Sequence, residues 1–284
     1  MKVKCEICPI GCNLSENQTG VCGARANIDN EIISLSYGRI SSIMLDPISK
    51  KPLARFYPGS YILSVGSYGC NLHCPFCQNY QIALEGEDLW VEQTGKYFSA
   101  YETIMPKELV KLAVAAKDRG NIGIAFTYNE PLVGYEYVYD TTLIAREAGL
   151  KTVIVTNGYF NHEPFEEIMK ITDAANIDIK GFTEEFYKKV GGDLQTVLNN
   201  VKTASKYCHV EITNLIIPGE NDSLEEIKQL SLFLKEINPE IPLHISRFFP
   251  NYKMLDKSPT KKDVIDSLYE TAKKHLKYVY KGNY

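Results

Sequence analysis

The sequence predicts an α/β protein built as a partial, TIM-like (β/α)6 barrel behind a small cysteine-rich N-terminal module. Three observations carry this expectation. From Tyr61 onward, short apolar runs alternate with segments whose apolar residues recur at helical spacing. Six such strand–helix units demand a parallel sheet closed by crossover connections, and six is short of the eight of a complete barrel. The first 55 residues break the rhythm: they hold four of the eight cysteines and no long helical pattern. A doubly wound open sheet satisfies the same alternation and stands as the structural alternative.

Residues 1–55 therefore read as a metal-binding module and linker, and residues 56–284 as the barrel domain. "DPISKKPLARFYPGS" joins the two. "YILSV" (61–65) is the first barrel strand. The helix after it opens at Pro106 and stops at Gly120. "IGIAFT" (122–127) is the second strand, and the helix over 132–148 ends before Gly149. "KTVIVT" (151–156) and a helix near 163–170 make the third unit. "DAANIDI" (173–179) is the fourth strand, with helical segments to about Tyr207. "HVEITNLII" (209–217) precedes the turn "PGEND", and Ser223 with Glu226 makes a capping-box pattern. "PLHISRF" (242–248) is the sixth strand, a last helix follows "SPTKKD", and "KYVY" (277–280) is suited to a short extra strand.

Composition narrows the class. A formal net charge of -4 over 284 residues supplies no global basic field for nucleic acid. No apolar run approaches the ~20 residues needed to cross a bilayer, and the N-terminus lacks the apolar core of a signal peptide. The expectation is a cytoplasmic protein without membrane contact. In a reducing compartment, eight cysteines are metal ligands or reactive groups before they are disulfides. Seven fall in two clusters, and Cys208 stands alone as a core residue.

The second cluster, "GCNLHCPFC", places Cys70, Cys74 and Cys77 directly after the first strand as C-x3-C-x2-C. Chemistry in a parallel barrel gathers at the C-terminal strand ends. A closed zinc site wants four ligands, so zinc here requires a distant histidine. A [4Fe–4S] cluster held by three thiolates keeps one iron open for a chelating small molecule. With the strand–helix rhythm, this segment resembles the radical SAM superfamily, in which S-adenosylmethionine (SAM) takes that position through its amino and carboxylate groups.

The resemblance extends to later strand ends. "TYNEP" (127–131) is similar to the superfamily's GGEP motif, with Tyr128 and Asn129 in place of both glycines and Glu130 and Pro131 kept. By resemblance, Asn129 and Glu130 face the SAM amino group. Thr156 and Asn157 stand at the next strand end. Asp178 and Lys180 resemble the D-x-K element that serves the SAM carboxylate in glycyl-radical-enzyme activases. Phe76 and the backbone at Ile217 are placed against the adenosine. His244 and Arg247, at the sixth strand, are candidates for the substrate side. His244 (a tentative catalytic residue) equally suits a satisfied core histidine, and Arg247 a surface ion pair.

Cys5, Cys8, Cys12 and Cys22 follow C-x2-C-x3-C-x9-C, four ligands in eighteen residues. Structural zinc and a second Fe–S cluster both fit this spacing, which also resembles the start of molybdopterin-oxidoreductase cluster domains. Taken with "DPISKKPL", "IPGEND" and "HISRFFPNYKM", the chain resembles the AmmeMemoRadiSam radical SAM family, a pyruvate-formate-lyase-activating-enzyme-like group. That resemblance implies reductive cleavage of SAM to methionine and a 5′-deoxyadenosyl radical, which takes hydrogen from a substrate. It further implies a flavodoxin or ferredoxin as one-electron donor and a protein or peptide substrate. Modification of RNA or a small metabolite, and a non-catalytic metal-binding scaffold, are the competing functions. Residues 78–121 contain no cysteine, so the ferredoxin-like insert of cluster-rich activases is absent from that stretch.

Overall fold

Eight strands form one sheet in the computed structural model, which describes residues 1–85 and 101–284. In chain order they are β1 (Ser42–Pro47), β2 (Tyr61–Gly66), β3 (Asn121–Phe126), β4 (Lys151–Thr156), β5 (Ala174–Asp178), β6 (His209–Ile216), β7 (Leu243–Arg247) and β8 (Val279–Gly282). Each strand lies beside its neighbour in sequence, and every pair from β2 to β8 is parallel. Among the described residues the sheet ends at β1 and β8 without pairing them, so the barrel is open.

Two strands go beyond the six expected. β8 continues the parallel series two residues later than "KYVY" suggests. β1 pairs antiparallel with β2, from Ser42↔Gly66 to Pro47↔Tyr61. A segment before residue 56 thus completes the edge of the main sheet, an arrangement that local pattern does not signal.

Helices cover the convex face. Among the described residues they are α1 (Pro106–Ala115), α2 (Tyr135–Glu147), α3 (His162–Ile171), α4 (Glu184–Val190), α5 (Leu194–Ala204), α6 (Leu224–Ile237) and α7 (Lys262–Lys273). Each buries an apolar stripe, such as Phe165, Ile168 and Met169 on α3 or Ile227, Leu230 and Leu234 on α6. Ser223 caps α6 by accepting from the Glu226 N–H at 3.1 Å. Glu226 does not reciprocate as a capping box would; its carboxylate accepts from the Phe182 N–H at 3.2 Å, tying α6 to the loop after β5.

Strand alternation sorts side chains between the two faces. On β6, Val210 and Ile212 face the helices, while Glu211, Thr213 and Leu215 share the concave side. On β5, Ile177 is fully buried outward and Asn176 and Asp178 point inward. The linker closes the N-terminal end of this concave face. Pro52 O accepts from Asn176 Nδ2 at 2.8 Å, and the N–H groups of Ala54 and Arg55 donate to Glu211 at 2.8 and 2.7 Å. Among the described residues, what remains open is the C-terminal end.

The N-terminal module is a set of short ribbons. Arg25–Ile28 pairs with Glu31–Ser34 through Asp29 and Asn30, both at positive φ, the signature of a tight hairpin turn. Arg25 anchors it to α2 through a paired contact with Glu136 at 2.8 and 2.6 Å. Asn161, before α3, holds it again through Glu6 O and Ile7 O.

Candidate functional site

The loop after β2 begins with Gly69 at φ +89°, a conformation that favours glycine. A Cβ there would stand 2.5 Å from Cys22 O, so glycine also permits the close approach of the N-terminal module. The Cys70 N–H donates to that same carbonyl at 3.1 Å. Asn129 pins the loop from the other side: its Oδ1 accepts from the Ser67 N–H at 2.9 Å and its Nδ2 donates to Gly69 O at 3.1 Å.

Cys70, Cys74 and Cys77 line a cavity of about 340 Å³ at the C-terminal ends of the strands. Phe76, Asn129, Glu130, Thr156, Asn157, Asp178 and Lys180 line it as well. Segments spread from Cys70 to Lys180 therefore meet in one place, as the parallel topology requires. Ile217 does not line the cavity. It is fully buried, and its N–H donates to Asn221 Oδ1 at 2.7 Å; Leu215 faces the cavity instead.

His244 is displaced from its expected place. It is the second residue of β7, at the N-terminal end of the strand, whereas the cavity opens at the other end. Its Nε2 lies 2.6 Å from Glu211 and its ring stacks on Tyr280 at 5.1 Å. It belongs to the floor of the barrel, and Ser246 is the β7 residue that reaches the cavity. Arg247 donates through Nε to Thr260 O at 2.9 Å.

Electrostatics in the cavity follow from burial. Glu130 accepts from Thr156 Oγ1 at 2.8 Å, the Asn157 N–H at 2.7 Å and the Leu132 N–H at 3.1 Å. Burial outweighs those bonds and pushes its carboxyl up to about 7. Lys180 lies 3.0 Å from Asp178. Burial works against its charge, yet Asp178 and the nearby cysteines hold the ammonium above its ordinary value. Burial lifts all three loop thiols, Cys74 to about 12.

Sequence reasoning missed the wall of the cavity built on Tyr128 and Lys51. Tyr128 sits at φ +74°, unusual for an aromatic residue. Its hydroxyl donates to Asp46 at 2.8 Å, Asp46 pairs with buried Lys51 at 2.9 Å, and the Lys51 ammonium stands 4.5 Å from the Tyr128 ring centre. The only sequence signal was an aromatic residue at a motif position where glycine is the usual choice.

Among the described residues, no three His, Cys, Asp or Glu side chains converge on a point as ligands of a single ion do. A cubane cluster takes thiolates from separate corners of a box, so its ligands line a space. The three loop thiols do line one, beside a carboxyl and an ammonium that match an amino acid's two charged groups. The donor set fits an iron–sulfur cluster with a chelating amino acid.

Comparison with known proteins points the same way. A model described as the radical SAM superfamily matches residues 64–231. An uncharacterized protein of Methanocaldococcus jannaschii is 41% identical over 99% of this chain and 81% of its own length. The pyruvate formate-lyase-activating enzyme of Clostridium pasteurianum is 31% identical over 60% of this chain and 67% of its own. A radical SAM methyltransferase from Sphaerobacter thermophilus shares the fold with a TM-score of 0.57 at 14% identity, over 80% of this chain and 67% of that one. Among the described residues, no helix is long and apolar enough to cross a membrane.

Proposed function

Because this chain belongs to the radical SAM superfamily, we propose that it cleaves SAM at the three-cysteine loop and uses the product radical on a protein or peptide. The carrying observation is the meeting of Cys70, Cys74 and Cys77 with Glu130, Asp178 and Lys180 around one cavity. When bound, the [4Fe–4S] cluster with SAM supplies one-electron cleavage of the sulfonium to a 5′-deoxyadenosyl radical.

The chain's own residues bind and orient. Cys70, Cys74 and Cys77 ligate the cluster. Glu130 receives the SAM amino group, and it is preset for this by Thr156 and Asn157, whose bonds fix both carboxylate oxygens. Lys180 takes the SAM carboxylate as a charge-assisted partner, with Asp178 steering its ammonium. Phe76 offers an apolar face to the nucleoside. Asn129 acts on the loop. His244 is left with a structural role in the barrel floor.

Likeness to the pyruvate formate-lyase-activating enzyme supports a protein substrate of the activase kind, and the motifs spread along the chain support the AmmeMemoRadiSam group. The ribbons before β1 serve as a module on the barrel, whose sheet takes in Ser42–Pro47, and the four cysteines of those ribbons are assigned a second metal site. A flavodoxin or ferredoxin is the electron donor in this reading.

The test is SAM cleavage by anaerobically reconstituted protein under dithionite. Wild type is expected to form methionine and 5′-deoxyadenosine. The variant with Cys70, Cys74 and Cys77 all changed to Ala is expected to form neither, and full cleavage by that variant refutes the assignment.

A further inference from the structure

We propose that Cys5, Cys8, Cys12 and Cys22 form a second iron–sulfur site that passes single electrons to the three-cysteine loop, an inference that rests on that loop carrying its own cluster. Cys5, Cys8 and Cys22 lie within electrostatic reach of one another, and Cys12 within reach of Cys22. Cys5, Cys8 and Cys22 are buried, and Cys12 is half-buried. The backbone gathers them: the Cys5 N–H donates to Cys12 O at 2.8 Å, and Gly11, at φ +57°, turns back to donate to Cys8 O at 3.1 Å. Buried thiolates serve zinc or an iron–sulfur cluster; among the described residues no three of them converge on a point as the ligands of a single ion do, and their surroundings bear further on the choice.

Two features of those surroundings favour a redox group. First, the two cysteine groups are joined directly. Cys22 O accepts from the Cys70 N–H, so a ligand of one site is hydrogen-bonded to a ligand of the other. A second bridge runs through fully buried Asn71, which touches Cys8 and accepts at Oδ1 from Asn157 Nδ2 at 2.8 Å; that same Nδ2 lies 3.7 Å from Cys70 Sγ. A structural zinc has no redox chemistry and gains nothing from such coupling. The module is already docked by Arg25–Glu136 and Asn161.

Second, Arg25 is 5% exposed and its guanidinium lies beside Cys5. Its two terminal nitrogens are taken by Glu136 and Val133 O, while among the described residues its buried Nε has no hydrogen-bond partner. A buried, incompletely satisfied donor beside a thiolate site favours the more negative, reduced state, and hydrogen bonding to sulfur is a lever on cluster potential. The electrons balance. A donor of the flavodoxin or ferredoxin class loses one electron at the half-buried Cys12 side. One electron leaves by the Cys22–Cys70 contact, and one SAM sulfonium is reduced at the loop.

The test uses the full chain, reconstituted anaerobically with iron and sulfide. The Cys70→Ala, Cys74→Ala, Cys77→Ala variant is expected to keep about four irons and four sulfides, with a reduced-state EPR signal that SAM does not change. Wild type is expected to hold about twice that and to show a spin-coupled signal when fully reduced. Fully reduced wild type, freed of reductant and given excess SAM, should yield about two methionines per chain, one per stored electron. One zinc per chain in the variant, or no metal in folded protein, overturns the second site. A yield of one methionine from wild type with both clusters overturns the transfer. No SAM cleavage by that same wild type sinks the loop assignment instead, and the variant's iron content still decides what the N-terminal cysteines hold.

Discussion

Lys180→Met isolates the carboxylate contact of SAM. Methionine keeps most of the apolar stem and removes only the ammonium, which lies 3.0 Å from Asp178 with 20% of its side chain exposed. Lys180 is not a thiol ligand, so iron content and the visible spectrum should not change. A charge-assisted bond contributes ~1.5–3 kcal/mol. Removing the cation also leaves Asp178 facing an incoming carboxylate with no neutralising partner. At ~1.4 kcal/mol per decade, the SAM dissociation constant should rise at least about tenfold and toward a hundredfold. Asp178→Asn provides the internal control: it frees the ammonium and removes the repulsion, so its loss of affinity should be smaller. Calorimetric titration of SAM into cluster-loaded protein measures both. An affinity for Lys180→Met within about twofold of wild type, with iron intact, refutes the role given to the end of β5.

Three further outcomes follow from the packing. Tyr128→Phe keeps the ring over Lys51 but removes a hydrogen bond from Asp46; urea denaturation should show a loss of ~1–3 kcal/mol, and an unchanged midpoint would mean that water replaces the hydroxyl at no cost. Gly69→Ala places a Cβ 2.5 Å from Cys22 O at a φ of +89°, so the module should separate locally from the loop; the expected readout is new proteolytic cleavage before residue 40, and wild-type resistance would contradict it. Glu211 is buried, yet bonds from His209, His244, Ala54 and Arg55 lower its carboxyl from 4.5 to about 2. Its stabilisation, on the order of 3 kcal/mol, is fully present above pH 4.5 and is lost as pH falls toward 2. Glu211→Gln should be less stable at pH 7 and should flatten the fall in melting temperature between pH 5 and 3; an unchanged slope would remove Glu211 from the acid transition.

Sequence by itself determined the chemistry-bearing residues wherever the signal was local. Three cysteines in eight residues, a carboxylate after a buried strand, and Asp178 and Lys180 two apart on one strand face are all short-range patterns, and the strand–helix rhythm orders them around a parallel sheet. Tertiary structure decided the contacts made across long chain separations. β1 adds to β2 because an exposed sheet edge needs a partner, and nothing inside "SIMLDP" announces that pairing. His244 goes to the barrel floor because the start of β7 sets it beside Glu211 on β6, a register fixed only once the strands pair. Tyr128 becomes a wall because Asp46 and Lys51, some eighty residues earlier, arrive beneath its hydroxyl and ring. The contact between Cys22 and Cys70 exists because Gly69 lets two backbones touch, and that closeness is a property of neither segment alone.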